Sequence, residues 1–218
     1  MRIPLAEYGL RELLLFGGAA LAGAVVAAVW AWYLAPVFAA VLVFVVAFFR
    51  DPARQVPAEA GALVAPADGT VTEIAEAVEP QFLRAPAHKI GIFMSLASVH
   101  VNRSPCAGLV EAVEHRPGRF LDARDAAASA ENESTAVVIG DAEGRGIRVL
   151  VRQVAGVLAR RIVCAAAVGD RLERGQRFGM IKFGSRVEVY VPVEAGFDVA
   201  VKFGDRAKGG ETVLGRFR

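Results

Sequence analysis

A β-rich α+β fold with an N-terminal hydrophobic membrane hairpin is what this 218-residue sequence predicts. Three observations carry that prediction. No charged side chain occurs between Leu13 and Phe49. After Pro57 the chain becomes short runs of Val, Ile, Phe and Ala broken by Gly, Pro and Asp, the texture of strands joined by tight turns. The overall composition, 55% hydrophobic with a mean hydropathy of +0.42, also exceeds what a fully soluble chain usually carries.

The uncharged stretch is 37 residues long. As one helix it would run about 55 Å, against a hydrocarbon thickness of about 30 Å. A break is therefore expected at Trp30-Ala31-Trp32-Tyr33, followed by Pro36, because amphipathic rings favour the interface and proline suits a helix's first turn. This gives a cytoplasmic segment 1–12, helices near 13–29 and 36–49 forming the membrane hairpin 13–49, and a domain over 50–218. Arg2 and Arg11 before the hairpin and Arg50 and Arg54 after it place both ends on the cytoplasmic face of the cell membrane. The second helix is short enough that an interfacial or re-entrant hairpin stays open. A cleaved signal peptide would have a shorter apolar region and a small-residue cleavage site, whereas Phe48-Phe49-Arg50-Asp51-Pro52 follows here.

Strands are predicted at 62–65, 69–76, 89–95, 108–115, 135–140, 146–154, 159–163, 186–191 and 197–202. The alanine-rich Asp122–Ala130 reads as helix or loop. A net charge of +2 offers no basic field for nucleic acid. Cys106 and Cys164 stand apart without CxxC spacing and read as buried or bystander thiols. His88, His100 and His115 show no HExxH or i,i+4 pairing, so no metal is expected.

The pattern GDRxxxG occurs twice, at Gly169-Asp170-Arg171…Gly175 and Gly204-Asp205-Arg206…Gly210. Two Gly-Asp hairpin turns explain it without any function. With Ala65-Pro66-Ala67-Asp68-Gly69-Thr70-Val71 it also resembles the flattened β-sandwich of biotinyl and lipoyl domains, so a lipoyl-like β-sandwich core is expected at the C-terminal side of the domain. In those domains a tip lysine is modified, and Lys182 would be that lysine.

A longer string favours another relationship. Phe183-Gly184-Ser185-Arg186-Val187-Glu188-Val189-Tyr190-Val191-Pro192 resembles the self-cleavage segment of the pyruvoyl-dependent phosphatidylserine decarboxylase proenzymes, in their short bacterial and archaeal form. Further blocks resemble that family in the same order. They are Ala65–Gly69, Ser98-Val99-His100-Val101-Asn102-Arg103-Ser104-Pro105, Arg116–Phe120, Glu131-Asn132-Glu133 and Gln153–Val163, so that residues 50–218 are covered.

The resemblance implies attack of the Ser185 hydroxyl on the Gly184 carbonyl, then elimination and hydrolysis. Chains 1–184 and 185–218 would remain as a heterodimer, with Ser185 become a covalent pyruvoyl group and no metal required. That carbonyl would take up the amine of phosphatidylserine and accept the electrons released with carbon dioxide, as pyridoxal phosphate does. Glycine suits the scissile position because it permits close approach and unusual backbone angles.

The resemblance points to Asp68 and His100 as the partners of Ser185, and to Asn132 and Glu133 as residues that order the site. Longer relatives carry His-x-x-His here, and this chain departs from them with Arg103 at the second position. Either His100 serves both self-cleavage and decarboxylation, or another group supplies the base, since arginine stays protonated. Arg160-Arg161 reads as a headgroup contact or a strand flank, and His88 and His115 as solvent-facing bystanders. Homo-oligomer formation stays open. Two rivals remain at this point: a membrane-anchored biotinyl or lipoyl carrier modified at Lys182, and a non-enzymatic export adaptor.

Overall fold

The computed structural model describes residues 4–141, 146–157, 161–182 and 184–218. The chain divides into two compact units, Met1–Ala53 and Arg54–Arg218. In the first, helix α1 (Leu10–Trp30) ends at Ala31, where φ of −152° breaks the helical path. Helix α2 (Ala35–Phe48) begins with Pro36 in its first turn, where a missing amide hydrogen costs nothing. Gly23 faces the Phe38 ring so closely that any Cβ would collide with it, the small-residue contact that lets two apolar helices approach. The Ala6 amide donates to the Phe49 carbonyl and the Asp51 amide to the Pro4 carbonyl, both at 2.8 Å, so the two ends of the hairpin lie side by side. The segment Glu7–Trp30 is long and apolar enough to cross a membrane.

The second unit is almost all strand. Its main feature is a curled sheet of eight strands, and reading that sheet inward from its two edges gives the same series twice. One half runs from β13 (Arg206–Ala207) through β2 (Gly69–Glu79) and β3 (Ala85–Met94) to β11 (Ser185–Pro192). The other runs from β9 (Arg171–Leu172) through β5 (Gly108–Arg116) and β6 (Ser134–Asp141) to β7 (Arg148–Val154). β11 and β7 meet in the middle. Two three-stranded sheets complete the halves: β1 (Ala62–Val64), β14 (Val213–Phe217) and β12 (Phe197–Val199) in the first, and β4 (Val101–Arg103), β10 (Arg177–Lys182) and β8 (Arg161–Cys164) in the second.

The likeness of the halves extends to single bonds. The Gly204 amide donates to Val71 and the Val71 amide to Asp205; the Gly169 amide donates to Val110 and the Val110 amide to Asp170, all at 2.8–2.9 Å. Asp205 and Asp170 each cap the turn by accepting from the amide three residues earlier, Lys202 and Ala167, at 2.8 Å. Gly69 and Gly108 each press against a neighbouring carbonyl, of Phe93 and Gly140, where no Cβ fits. The GDRxxxG turns are thus the visible trace of a pseudo-twofold duplication.

The second half, residues 101–182, is inserted into the first, which runs over 62–94 and resumes at 185–217. The chain crosses between halves twice, after Met94 and before Ser185, and these two residues are register partners on β3 and β11. The apolar core lies inside the curl, with Val71, Ile90, Ile92, Val137, Ile139, Val149, Val151, Val187 and Val189 all fully buried. The C-terminal strands are shared out among these sheets and form no separate sandwich among the described residues. Helix forms only at the end of the alanine-rich segment, in the four residues Ala128–Glu131 (α3). Strands β4, β9, β10, β13 and β14 were not predicted. Most are two to five residues long, held by distant partners rather than by their own periodicity.

Candidate active site at the seam

Three strand ends meet where the halves join: Asp68 immediately precedes β2, Met94 closes β3, and Ser185 opens β11 opposite Met94. At a strand spacing of about 4.8 Å, β2 and β11 stand about 10 Å apart across β3. Ser185 shares its face of β11 with Val187, Val189 and Val191, so its side chain enters the core and is wholly buried. Its Oγ donates to Met94 Sδ at 3.4 Å, a weak partner for a hydroxyl. The Asp68 carboxylate accepts from Arg54 Nη2 at 2.9 and 2.8 Å and from the Gly209 amide at 2.7 Å, fastening the start of β2 to the turn before β14.

His100 and Asn102 face the same way from β4 and its approach, both fully buried, while the alternate residue Arg103 faces the other way. The His100 carbonyl accepts from the Ile181 amide at 3.2 Å, placing it beside β10 just before the chain reaches Gly184. Asn102 Nδ2 reaches Met94 Sδ at 3.8 Å, so Asn102 and Ser185 converge on one sulfur. Arg103 donates from Nη1 to the Gly175 carbonyl at 3.1 Å and from its amide to Pro66 at 2.8 Å. Its backbone amide thus ties the second half to Pro66 of the first, while its guanidinium braces the Gly175 turn of its own half, a task unlike that of a histidine.

Gly184 has φ of +62°, a left-handed conformation that favours glycine, and Gly156 packs so tightly against the Gly184 carbonyl that a Cβ there would strike its oxygen. A pocket of about 280 Å³ opens beside this carbonyl, lined by Phe93, Ser95, Leu96, Ala123, Val157 and Gly184. At its rim Arg124 pairs with Asp122 at 2.6 Å and lies over the Phe93 ring. The Arg124 hydrogen bond lowers the Asp122 carboxyl to about 2, so the rim offers one cation and one anion at neutral pH. Asn132 spends its amide on backbone, accepting from Leu121 at 2.8 Å and donating to Leu121 and Ala155 at 2.9 Å. The Glu133 carbonyl accepts from the Ala155 amide at 2.9 Å. Together they hold the segment leading to Gly156.

One group of residues escaped the sequence reading. Arg186, Glu188 and Tyr190 alternate with valines, a pattern that suggests a solvent face, yet all three are buried. Glu188 pairs with Lys89 at 3.2 Å and Arg186 at 3.0 Å, and accepts from the hydroxyls of Ser129 and, at 2.7 Å, Tyr190. Glu73 closes the cluster on Lys89 and Arg186. Burial alone raises the Glu188 carboxyl, but Lys89 and Arg186 with the two hydroxyls outweigh it and hold the group below the ordinary glutamate value. Its contribution to stability is present at neutral pH and is lost as pH falls below the ordinary glutamate range. Glu188→Ala removes the fully buried one of the two carboxylates that Lys89 and Arg186 share and leaves them Glu73, so a loss of about 3 kcal/mol is expected in denaturant titration. An unchanged midpoint would remove the cluster's structural role.

The remaining candidates lie elsewhere. His88 stands 3.8 Å from Glu76, and His115 contacts Thr135 Oγ1 at 3.2 Å. Lys182 is buried in register with Arg161. Arg160 and Phe183 fall outside the described residues. No cluster of three or more His, Cys, Asp or Glu side chains able to hold a metal occurs among the described residues.

The family described as phosphatidylserine decarboxylase matches residues 41–215. A phosphatidylserine decarboxylase proenzyme of Symbiobacterium thermophilum is 48% identical over 216 residues, covering 99% of this chain and 97% of its own. The proenzyme of Trichlorobacter lovleyi is 48% identical over 94% of this chain and 89% of its own, and that of Rhodopirellula baltica 41% over 99% and 89%. With matches of this length and identity, the chain belongs to the phosphatidylserine decarboxylase family.

Proposed function

We infer that this protein decarboxylates phosphatidylserine to phosphatidylethanolamine, as a carboxy-lyase whose pyruvoyl group is made by self-cleavage between Gly184 and Ser185. The observation that carries the reading is a left-handed glycine whose carbonyl packs on Gly156, directly before a buried serine at the seam of a duplicated fold.

Ser185 Oγ attacks the Gly184 carbonyl carbon, the C–N bond breaks as the C–O bond forms, and the hydroxyl proton passes to the freed amine. Elimination expels the Gly184 carboxylate, and water releases ammonia to leave the pyruvoyl terminus. His100 is the base for the hydroxyl and later the proton donor. Asp68 orients the corner through Arg54 and Gly209, and Asn132 and Glu133 order the segment that carries Gly156. The site fits the group, because it arises from Ser185 in place, shielded from solvent, with the pocket of about 280 Å³ opening beside it. When formed, the pyruvoyl carbonyl supplies the electron sink for decarboxylation. The Asp122–Arg124 rim offers both signs of charge to a headgroup that carries an ammonium beside a carboxylate and a phosphate.

The apolar hairpin holds the enzyme at the membrane, where a diacyl substrate resides. Its ends lie together, with Arg11 and Arg50 flanking the helices, which supports the cytoplasmic side. The small chain, residues 185–218, contributes β11 from the middle of the curled sheet, between β3 and β7, and so stays bound after cleavage. The carrier reading, which needs an accessible Lys182, is not favoured, because that side chain is buried.

Intact-mass analysis of the purified protein, beside a lipid decarboxylation assay, tests the reading. A 34-residue fragment with pyruvoyl in place of its first serine is expected. A whole chain, particularly one modified at Lys182, would overturn it.

A further inference from the structure

The duplication supplies an internal control for the seam. Asn102 pairs with Gly179 on β10, and its counterpart in the other half, which pairs with Gly215 on β14, is Leu63. Val187 pairs with Ile92 as Val149 pairs with Ile139, which makes Val191 the counterpart of Gln153. The fold accepts Leu and Val at these places. In the half that meets Ser185 it carries instead two fully buried amides.

Those amides form a directed chain. Gln153 Nε2 donates to the Val163 carbonyl at 3.3 Å and to Asn102 Oδ1 at 2.8 Å. Because a carbonyl only accepts and only the nitrogen of a side-chain amide donates, Val163 fixes the orientation of Gln153, and Gln153 in turn fixes that of Asn102. Asn102 Nδ2 is thereby aimed at Met94 Sδ, the atom that also receives the Ser185 hydroxyl. A thioether is a weak acceptor, so an amide donor beside Ser185 is left far from saturated. Gln153 Oε1 is buried with no hydrogen-bond partner among the described residues. Buried polar groups so poorly satisfied cost stability, and the apolar counterparts show that packing does not demand them.

We propose that Asn102 and Gln153 are a positioning pair for the chemistry at Ser185: Gln153 locks Asn102, and Asn102 Nδ2 holds the Met94–Ser185 contact and offers its donor to oxygen as charge develops there. The pair rests on the reading of Ser185 as the self-cleaving residue. Met94 is the intermediary, which explains why a sulfur, able to yield either partner at little cost, stands at the seam in register with the cleavage point.

The test measures self-cleavage of the full chain by gel and intact mass, with melting temperature recorded alongside, for Asn102→Leu, Gln153→Val and the double variant. Each takes the residue found at its counterpart position, so folding is expected to survive. Cleavage should slow about tenfold in each single variant, the loss of one directed hydrogen bond. The double variant should be no slower than the worse single one, because the two act as a unit. Cleavage at the wild-type rate in folded variants overturns the pair. Should the apolar variants not fold, Asn102→Asp, which keeps the shape and removes the amide donor, decides by the same comparison. A wild-type chain that stays whole refutes the Ser185 reading itself, whereas a cleaving wild type with equally fast variants refutes only the pair.

Discussion

Ser185→Ala is expected to leave only the 218-residue chain, with no 34-residue fragment and no lipid decarboxylation. The effect is complete because one oxygen atom serves twice, as the nucleophile toward Gly184 and as the leaving oxygen that departs in the Gly184 carboxylate, after which water supplies the pyruvoyl carbonyl oxygen. Stability should hardly change. The hydroxyl's contact is a 3.4 Å approach to sulfur, worth less than an ordinary hydrogen bond, and the methyl of alanine faces the same valine row. A folded, uncleaved, inactive chain is therefore the expected outcome by mass and thermal melting. If the variant still yields the small chain, the cleavage point lies elsewhere and the seam argument fails with it.

His100→Ala is expected to slow self-cleavage by about 10²–10⁴-fold, the usual contribution of a positioned acid–base group. His100 is fully buried just before β4, and its carbonyl accepts from Ile181 near the end of β10, the strand that leads to Gly184. Arg103, on the opposite face and bonded to Gly175, is in no place to substitute. The measurement is the half-time for appearance of the small chain in freshly synthesised protein. Near-normal cleavage would take the base role from His100 while leaving its later role as proton donor to be read from turnover of the cleaved enzyme.

Much of this was legible in the sequence. The uncharged run from Leu13 to Phe49 announced two apolar helices, and Trp30–Tyr33 with Pro36 located the interruption, because those residues act locally. Short β-branched runs marked most long strands for the same reason. The Gly184-Ser185 motif and its ordered companion blocks pointed to the family, which the matches then showed. The GDRxxxG pair was legible as two turns, though its meaning was not. Recognising it as half of a duplication requires knowing that Gly169 bonds Val110 and Gly204 bonds Val71, partners 59 and 133 positions away in the chain.

What the sequence by itself determined is therefore whatever depends on neighbours: hydrophobic length, strand periodicity, turn chemistry and the ordered motifs that point to the family. What the tertiary structure decided depends on register between distant strands. It buried the Arg186-Glu188-Tyr190 row that alternation alone would turn toward water, since Lys89 and Ser129 arrive from elsewhere to pair it. It also brought Asn102 and Gln153 together on the Met94–Ser185 contact, because insertion of one half within the other makes both chain crossings meet there. A side chain's own residues set which way it points along its strand; only the partner strand sets what it finds.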